Sequence, residues 1–222
     1  MQITANAWNE YITRLSRLNR KAGQLMRQYI DTHGTGDADA PLYILQQLHN
    51  EFRKIALVTK YGEGSAELAC QMYDALAEAA NAGVPAAEPA EPADYGEVAR
   101  MVNATKNQNP ANLPNGVSRL VKRTGADTTL KNAVRDGAEW AWVPHGDTCP
   151  FCITLASNGW QKASSKVLKG GHAQHIHANC DCEFAIRFDH NTTVAGYDPE
   201  KYLKQYRDAG GDINKMRRID YA

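Results

Sequence analysis

The residues able to do chemistry are gathered between Trp142 and Phe188. Four of the five cysteines lie there, as Cys149-x-x-Cys152 and Cys180-x-Cys182, and five of the seven histidines lie there or just beyond: His145, His172, His175, His177 and His190. Soft thiolates and imidazoles in this number suit zinc, which takes four such ligands tetrahedrally. A C-x-x-C turn lets two sulfurs converge on one ion. Residues two apart on a strand share a face, so Cys180 and Cys182 can meet a common point. His177 and Cys180, three apart, can instead converge across a turn. The favoured set is Cys149, Cys152, His177 and Cys180, with Cys182 as the main competitor. The other reading is a small core of reduced thiols, or a disulfide formed in an oxidising medium. The 27 residues between Cys152 and Cys180 form a loop that closes at modest entropic cost.

Catalytic zinc keeps an open position beside three protein ligands. A deaminase places H-x-E or C-x-E ahead of P-C-x-x-C. Here Pro150 falls inside the pair, C-x-E does not occur upstream, and the one H-x-E, His49-Asn50-Glu51, lies about a hundred residues ahead of it. H-E-x-x-H, a phosphate loop and a nucleophile elbow are also absent from the sequence. Asp147, Asp181 and Glu183 are expected to form turns, support a ligand or face water. The pattern therefore favours a structural staple. The alternative is a metal-dependent enzyme acting on nucleic acid, or a toxin domain.

Two short strands must hold this knuckle. Glu139–Pro144 is aromatic and extended up to its proline, and 182–188 alternates as a returning strand, so the two form a small antiparallel sheet. The rest of the chain is helical, giving a mostly helical α+β fold. Trp8, Tyr11, Leu15, Leu18, Ala22, Leu25 and Tyr29 form one apolar seam over 6–30. Its polar face carries Arg14, Arg17, Arg20, Lys21 and Arg27. These are either a solvated face or a contact for DNA or an acidic partner.

A second helix is expected from Pro41 to about Lys60, broken by Tyr61-Gly62-Glu63-Gly64, and a third from Ser65, giving a hairpin or bundle over 1–81. Cys70 reads as a small buried hydrophobe. Residues 82–93, AGVPAAEPAEPA, read as a semi-rigid linker and domain boundary. The second domain, 94–190, starts with a capping box at Asp94-x-x-Glu97. It continues with a short helix over about 116–123 and another capped by Asp127 or Thr128. Residues 191–222 add a helix from Asp198-Pro199 and a basic tail, KMRRIDYA, expected to be mobile.

The 222 residues carry 25 Lys and Arg against 25 Asp and Glu. This balance excludes a protein whose main task is coating nucleic acid. No signal-peptide pattern opens the sequence, and no run of about eighteen apolar residues is present, so no membrane span is expected. A chain made in a cytoplasm holds clustered cysteines as metal ligands more often than as disulfides.

A C-x-x-C knuckle, then Gly159-Trp160-Gln161, then H-x-x-C-x-C before a strand resembles the C-terminal part of Mu-F-like minor head proteins of tailed phages. The matching residues are Cys149, Cys152, Gly159, Trp160, His177, Cys180 and Cys182. Ala178 and Asp181 stand where that pattern often has proline and arginine. The resemblance implies a non-enzymatic minor capsid protein acting in head morphogenesis. It implies the phage portal, scaffold or major capsid protein as partner, and a place in the virion head after assembly in the host cytoplasm.

Overall fold

The computed structural model describes residues 2–34, 57–146, 148–166 and 182–216. It is a mostly helical α+β fold, as the sequence implies. The expected helix from Pro41 lies almost wholly outside the described residues.

The strand β1 (Gln2–Ile3) leads into helix α1 (Ala5–His33). The Thr4 hydroxyl caps α1 by accepting a bond from the Ala7 N–H at 3.2 Å, satisfying one of the donors a helix start leaves open. The buried face of α1 is wider than one seam. Ile12, Ser16, Asn19, Gly23 and Met26 join Trp8, Tyr11, Leu15, Ala22 and Tyr29, because α1 packs on two helices at once.

The first of these is α2 (Leu57–Ala79). The break expected at Tyr61–Gly64 does not occur, and Ser65 caps nothing: the helix runs straight through. The glycines are there for close approach. A Cβ on Gly62 would stand 3.2 Å from both Pro92 Cβ and Thr124 Oγ1. Cys70 is buried as expected.

Residues 82–93 carry no regular structure, yet side chains of flanking helices hold their backbone. Asp74 accepts from the Ala87 N–H at 2.7 Å, and Asn132 accepts from the Glu88 N–H at 2.9 Å while donating to the Glu88 carbonyl at 2.8 Å. Thr128 accepts from the Ala90 N–H at 3.0 Å, and Arg135 donates to the carbonyls of Pro85 and Ala86. The proline-rich stretch is thus a strap. A segment that cannot pair as a strand has its backbone groups satisfied by side chains instead. Residues on both sides of it enter one buried cluster, from Trp8 and Tyr73 to Leu130, Trp140 and Ile186.

Helix α3 (Tyr95–Gln108) starts as the sequence implies, with Asp94 accepting from the Glu97 N–H at 2.8 Å and Val98 and Val102 buried. Glu97 turns instead to Arg123, at 2.6 Å. A 3-10 turn (Pro110–Asn112) then leads to α4 (Leu113–Asp136).

The two short helices expected over this stretch are one helix, and Asp127 and Thr128 lie inside it. Thr124, Thr128 and Thr129 donate their hydroxyls to the carbonyls of Leu120, Thr124 and Gly125. These bonds satisfy polar atoms that would otherwise be buried without partners. The helix is covered on several sides, by α1, α2, α3 and the sheet, so it lacks the one-sided pattern of a surface helix. Gly137, at φ 68° and ψ 22°, ends it in the left-handed conformation glycine adopts without strain.

Strands β2 (Glu139–Val143), β3 (Gln161–Lys162) and β4 (Glu183–Arg187) form an antiparallel sheet in the order β3-β2-β4. The expected pairing of 139–144 with 182–188 is present, with Trp142 opposite Phe184 and Trp140 opposite Ile186. Two features lie beyond what periodicity showed. One is β3 on the far side of β2. The other is β5 (Thr193–Val194), parallel to β1, which ties the start of α1 to the segment after the sheet.

Helices α5 (Pro150–Ala156), α6 (Pro199–Asp208) and α7 (Ile213–Met216) complete the described residues. Asp198 caps α6 by accepting from the N–H groups of Glu200 and Lys201. The tail expected to be mobile begins in α7, where Met216 is fully buried against Ile153 and Ala209. Residues 217–222 lie outside the described ones.

Gly125 faces α2 so closely that an added Cβ would stand 2.5 Å from Ser65 Oγ and 3.1 Å from the Ser65 carbonyl oxygen. Gly125→Ala is therefore expected to destabilise the protein by about 1–3 kcal/mol, the usual cost of overpacking. Urea unfolding checks this, with Lys131→Ala as an exposed control on the same helix.

Candidate functional site

The cysteine-bearing end is built on β2 and β4. Cys149 occupies the N-cap position of α5, and Pro150 suits the first turn because it lacks the N–H that a helix start leaves unpaired. Cys152 follows three residues later in the same turn. The C-x-x-C is therefore the start of a helix rather than a free turn, and both side chains belong to its first turn. Cys182 stands immediately before β4. The fold brings Cys149, Cys152 and Cys182 near one another.

Cys152 is 1% and Cys182 0% exposed, and Cys149 is half-buried against the same cluster. Aromatic rings belong to the same cluster. Phe184 meets Trp142 edge-on at 4.8 Å and Trp140 at 5.3 Å, separations at which edge-to-face pairs are favourable. Helix α5 is held by Tyr197, whose hydroxyl donates to the Ala156 carbonyl at 3.0 Å, and by Met216, whose Sδ accepts from the Thr154 hydroxyl at 3.5 Å. Tyr202 packs against this cluster. Burial raises its pKa above the ordinary tyrosine value, and the negative charge of a Cys182 thiolate adds to the rise.

His177 and Cys180, the other two expected ligands, lie outside the described residues, as do His172, His175, Asp147 and Asp181. Among the described residues, no three His, Cys, Asp or Glu side chains are set to hold a metal ion. His145 is half-buried beyond β2. His190 lies by the opposite end of β2, with Nδ1 3.3 Å from the Glu139 carboxylate. Glu139 is opposite Arg187 in the ladder and accepts its Nε–H at 2.6 Å, while the guanidinium lies 4.6 Å from the Trp160 ring centroid. Arg187 thereby connects β4 to β2 and to the residue just before β3.

Glu183 corrects an expectation. It faces neither water nor a turn: its side chain is 6% exposed and lies 3.2 Å from Lys122 Nζ, itself 2% exposed. The pair bridges α4 and β4 one residue beyond Cys182. The signal was present in α4, where Lys122 falls four residues after Ser118 and four before Ala126, both buried. At the sequence level, lysine in an inward register reads as a snorkelling side chain. Only the position of β4 shows its partner.

Arg14, Arg17, Arg20, Lys21 and Arg27 all lie exposed on the outer face of α1. Arg14 leans toward Gln71 Oε1 at 3.5 Å, and Arg20 donates to its own helix at the Ser16 carbonyl, 3.4 Å away. None of the helices among the described residues is long and apolar enough to cross a membrane.

Together these features define a helical α+β protein in which a small sheet carries a buried thiol cluster against three packed helices. The chain belongs to the VG15 protein family, whose profile matches residues 2–209 and so spans the helices, the strap and the sheet alike. No curated protein and no solved structure matches it.

Lys122→Met would leave Glu183 buried beside an apolar side chain. Removing one partner of a buried ion pair costs about 3–5 kcal/mol, so a large drop in unfolding free energy is expected. Replacing Glu183 as well, by Leu, is expected to recover most of it. The two unfolding curves, compared at neutral pH, check both statements.

Proposed function

We propose that this chain is a minor head protein of a tailed phage or prophage, similar in role to the Mu-F-like proteins, and that it acts in assembly rather than catalysis. It docks at the portal or on the inner side of the head, with the portal, scaffold or major capsid protein as partner. Four of Cys149, Cys152, His177, Cys180 and Cys182 supply the ligands for a structural zinc ion. Zinc there supplies cross-linking: it ties the first turn of α5 to the approach to β4.

The observation that carries the reading is the burial of Cys152 and Cys182 in the cluster that also holds Trp142 and Phe184. A catalytic zinc needs a position open to substrate and water, and a structural one is closed. Thiols buried in this way suit the second kind. The donor chemistry fits as well, since clustered thiolates select soft ions such as zinc. The phage assignment rests on the residue pattern Cys149-x-x-Cys152, Gly159-Trp160-Gln161 and His177-x-x-Cys180-x-Cys182.

Two experiments test the two halves separately. Purified protein is expected to hold about one zinc per chain, as a four-ligand structural site requires. Cys149→Ser and Cys182→Ser are then expected to lose the ion and several kcal/mol of stability, the order of a lost structural metal. Cys70, whose thiol burial pushes up to about 11, is the control: Cys70→Ser retains the zinc. Metal-free protein that melts at an unchanged temperature would rule out the staple. For the assembly role, the chain is expected to co-purify with the portal protein encoded beside it. Failure to do so, with zinc present, would remove the head assignment and leave the staple standing.

A further inference from the structure

The outer face of α1 is the most strongly charged stretch of sequence that the reading above leaves unused. Between Glu10 and Asp31 the sequence holds five basic residues and no acidic one, and all five are exposed. Arg14 and Arg20 are partly engaged: Gln71, which Arg14 approaches, also donates to Glu67 at 2.9 Å, and Arg20 donates to the Ser16 carbonyl at 3.4 Å. With Arg20 between them, Arg17, Lys21 and Arg27 extend over about 15 Å of helix at the usual rise per residue. Among the described residues, Arg17, Lys21 and Arg27 have no carboxylate partner. Arg17, Arg20 and Lys21 line a shallow groove of about 680 Å³ together with Thr13, Gln24 and Tyr61. Among the described residues, no carboxylate lines it.

We propose that this face binds the phosphate backbone of duplex DNA without reading sequence. Charge complementarity commits the occupant. Duplex DNA presents one negative charge per roughly 1.7 Å of its axis, so a row of cations along a straight helix meets several phosphates at once. Hydroxyl and amide groups from Thr13 and Gln24 supplement the cations, as in backbone contacts generally. The balanced charge of the whole chain fits local contact rather than coating. The inference does not depend on the proposed head role or on zinc.

The test uses the full chain and a labelled mixed-sequence DNA duplex, with affinity read by fluorescence anisotropy across a salt series. Four engaged cations predict a slope of log affinity against log salt of about −3 to −4. The triple variant Arg17→Ala, Arg20→Ala, Lys21→Ala is expected to weaken binding at least tenfold at low salt and to flatten the slope toward about −1. Lys131→Ala, on another face, is expected to change neither. The charge-keeping variant Arg17→Lys, Arg20→Lys retains binding, which separates loss of charge from loss of fold. The absence of binding at low salt, or binding that the triple variant retains in full, overturns the proposal. So does a triple variant that loses self-association, or capture of an acidic protein, when the unaltered chain binds no duplex: the face would then serve a protein partner.

Discussion

The close approach of α4 to α1 and α2 is the constraint on which the rest depends. Three glycines and a set of small hydroxyl residues make it feasible. Gly23 of α1 lies against Ser118 and Pro114, Gly62 of α2 against Pro92 and Thr124, and Gly125 of α4 against Ser65. Where side chains are this small, backbones approach and buried hydroxyls bond back to their own helix. Only an α4 held in this way can present Lys122 to β4 while Thr128, Asn132 and Arg135 grip the strap.

The strap follows from the same geometry. Its prolines exclude it from a sheet, so each exposed N–H and carbonyl needs a partner from elsewhere. Asp74 of α2, with Thr128, Asn132 and Arg135 of α4, provides them. A composition that suggests a spacer is here a fastening, and its own Ala90 and Ala93 are buried. The sheet is fastened in a related manner. The Lys122–Glu183 pair joins β4 to α4, and Arg187 joins β4 to β2 through Glu139. The cysteines lie at the Val143–Glu183 end of the sheet, next to the first of these ion pairs. Their closeness is thus a product of the helices as much as of their own spacing.

Much of this was legible in the residues themselves. Alternation and aromatic content located β2 and β4, because strands with period-two patterns declare their faces. The 3,4 spacing located α1, and Asp94 and Asp198 marked helix starts, because capping is local chemistry. The clustering of cysteines around the sheet was equally plain. Local signals misled where tertiary contact overrides propensity. Gly62 and Gly64 read as a helix break, and the Asp127-Thr128 pair as a helix start. Buried helix faces use the same residue types for close packing, and spacing alone does not separate the two uses.

By itself the sequence determined the mostly helical α+β class, the strand pair, the caps and the concentration of thiols, each through a regularity spanning a few residues. The tertiary structure alone decided that α2 and α4 are continuous, that the proline-rich stretch is held down, and that Glu183 is buried against Lys122. It also decided that Cys182 comes beside the start of α5, and that β1 joins β5. Those outcomes depend on which groups far apart in the chain meet in space. Burial changes what a residue type means: a glycine becomes a contact point, a carboxylate needs a cation, and a cysteine becomes part of a core.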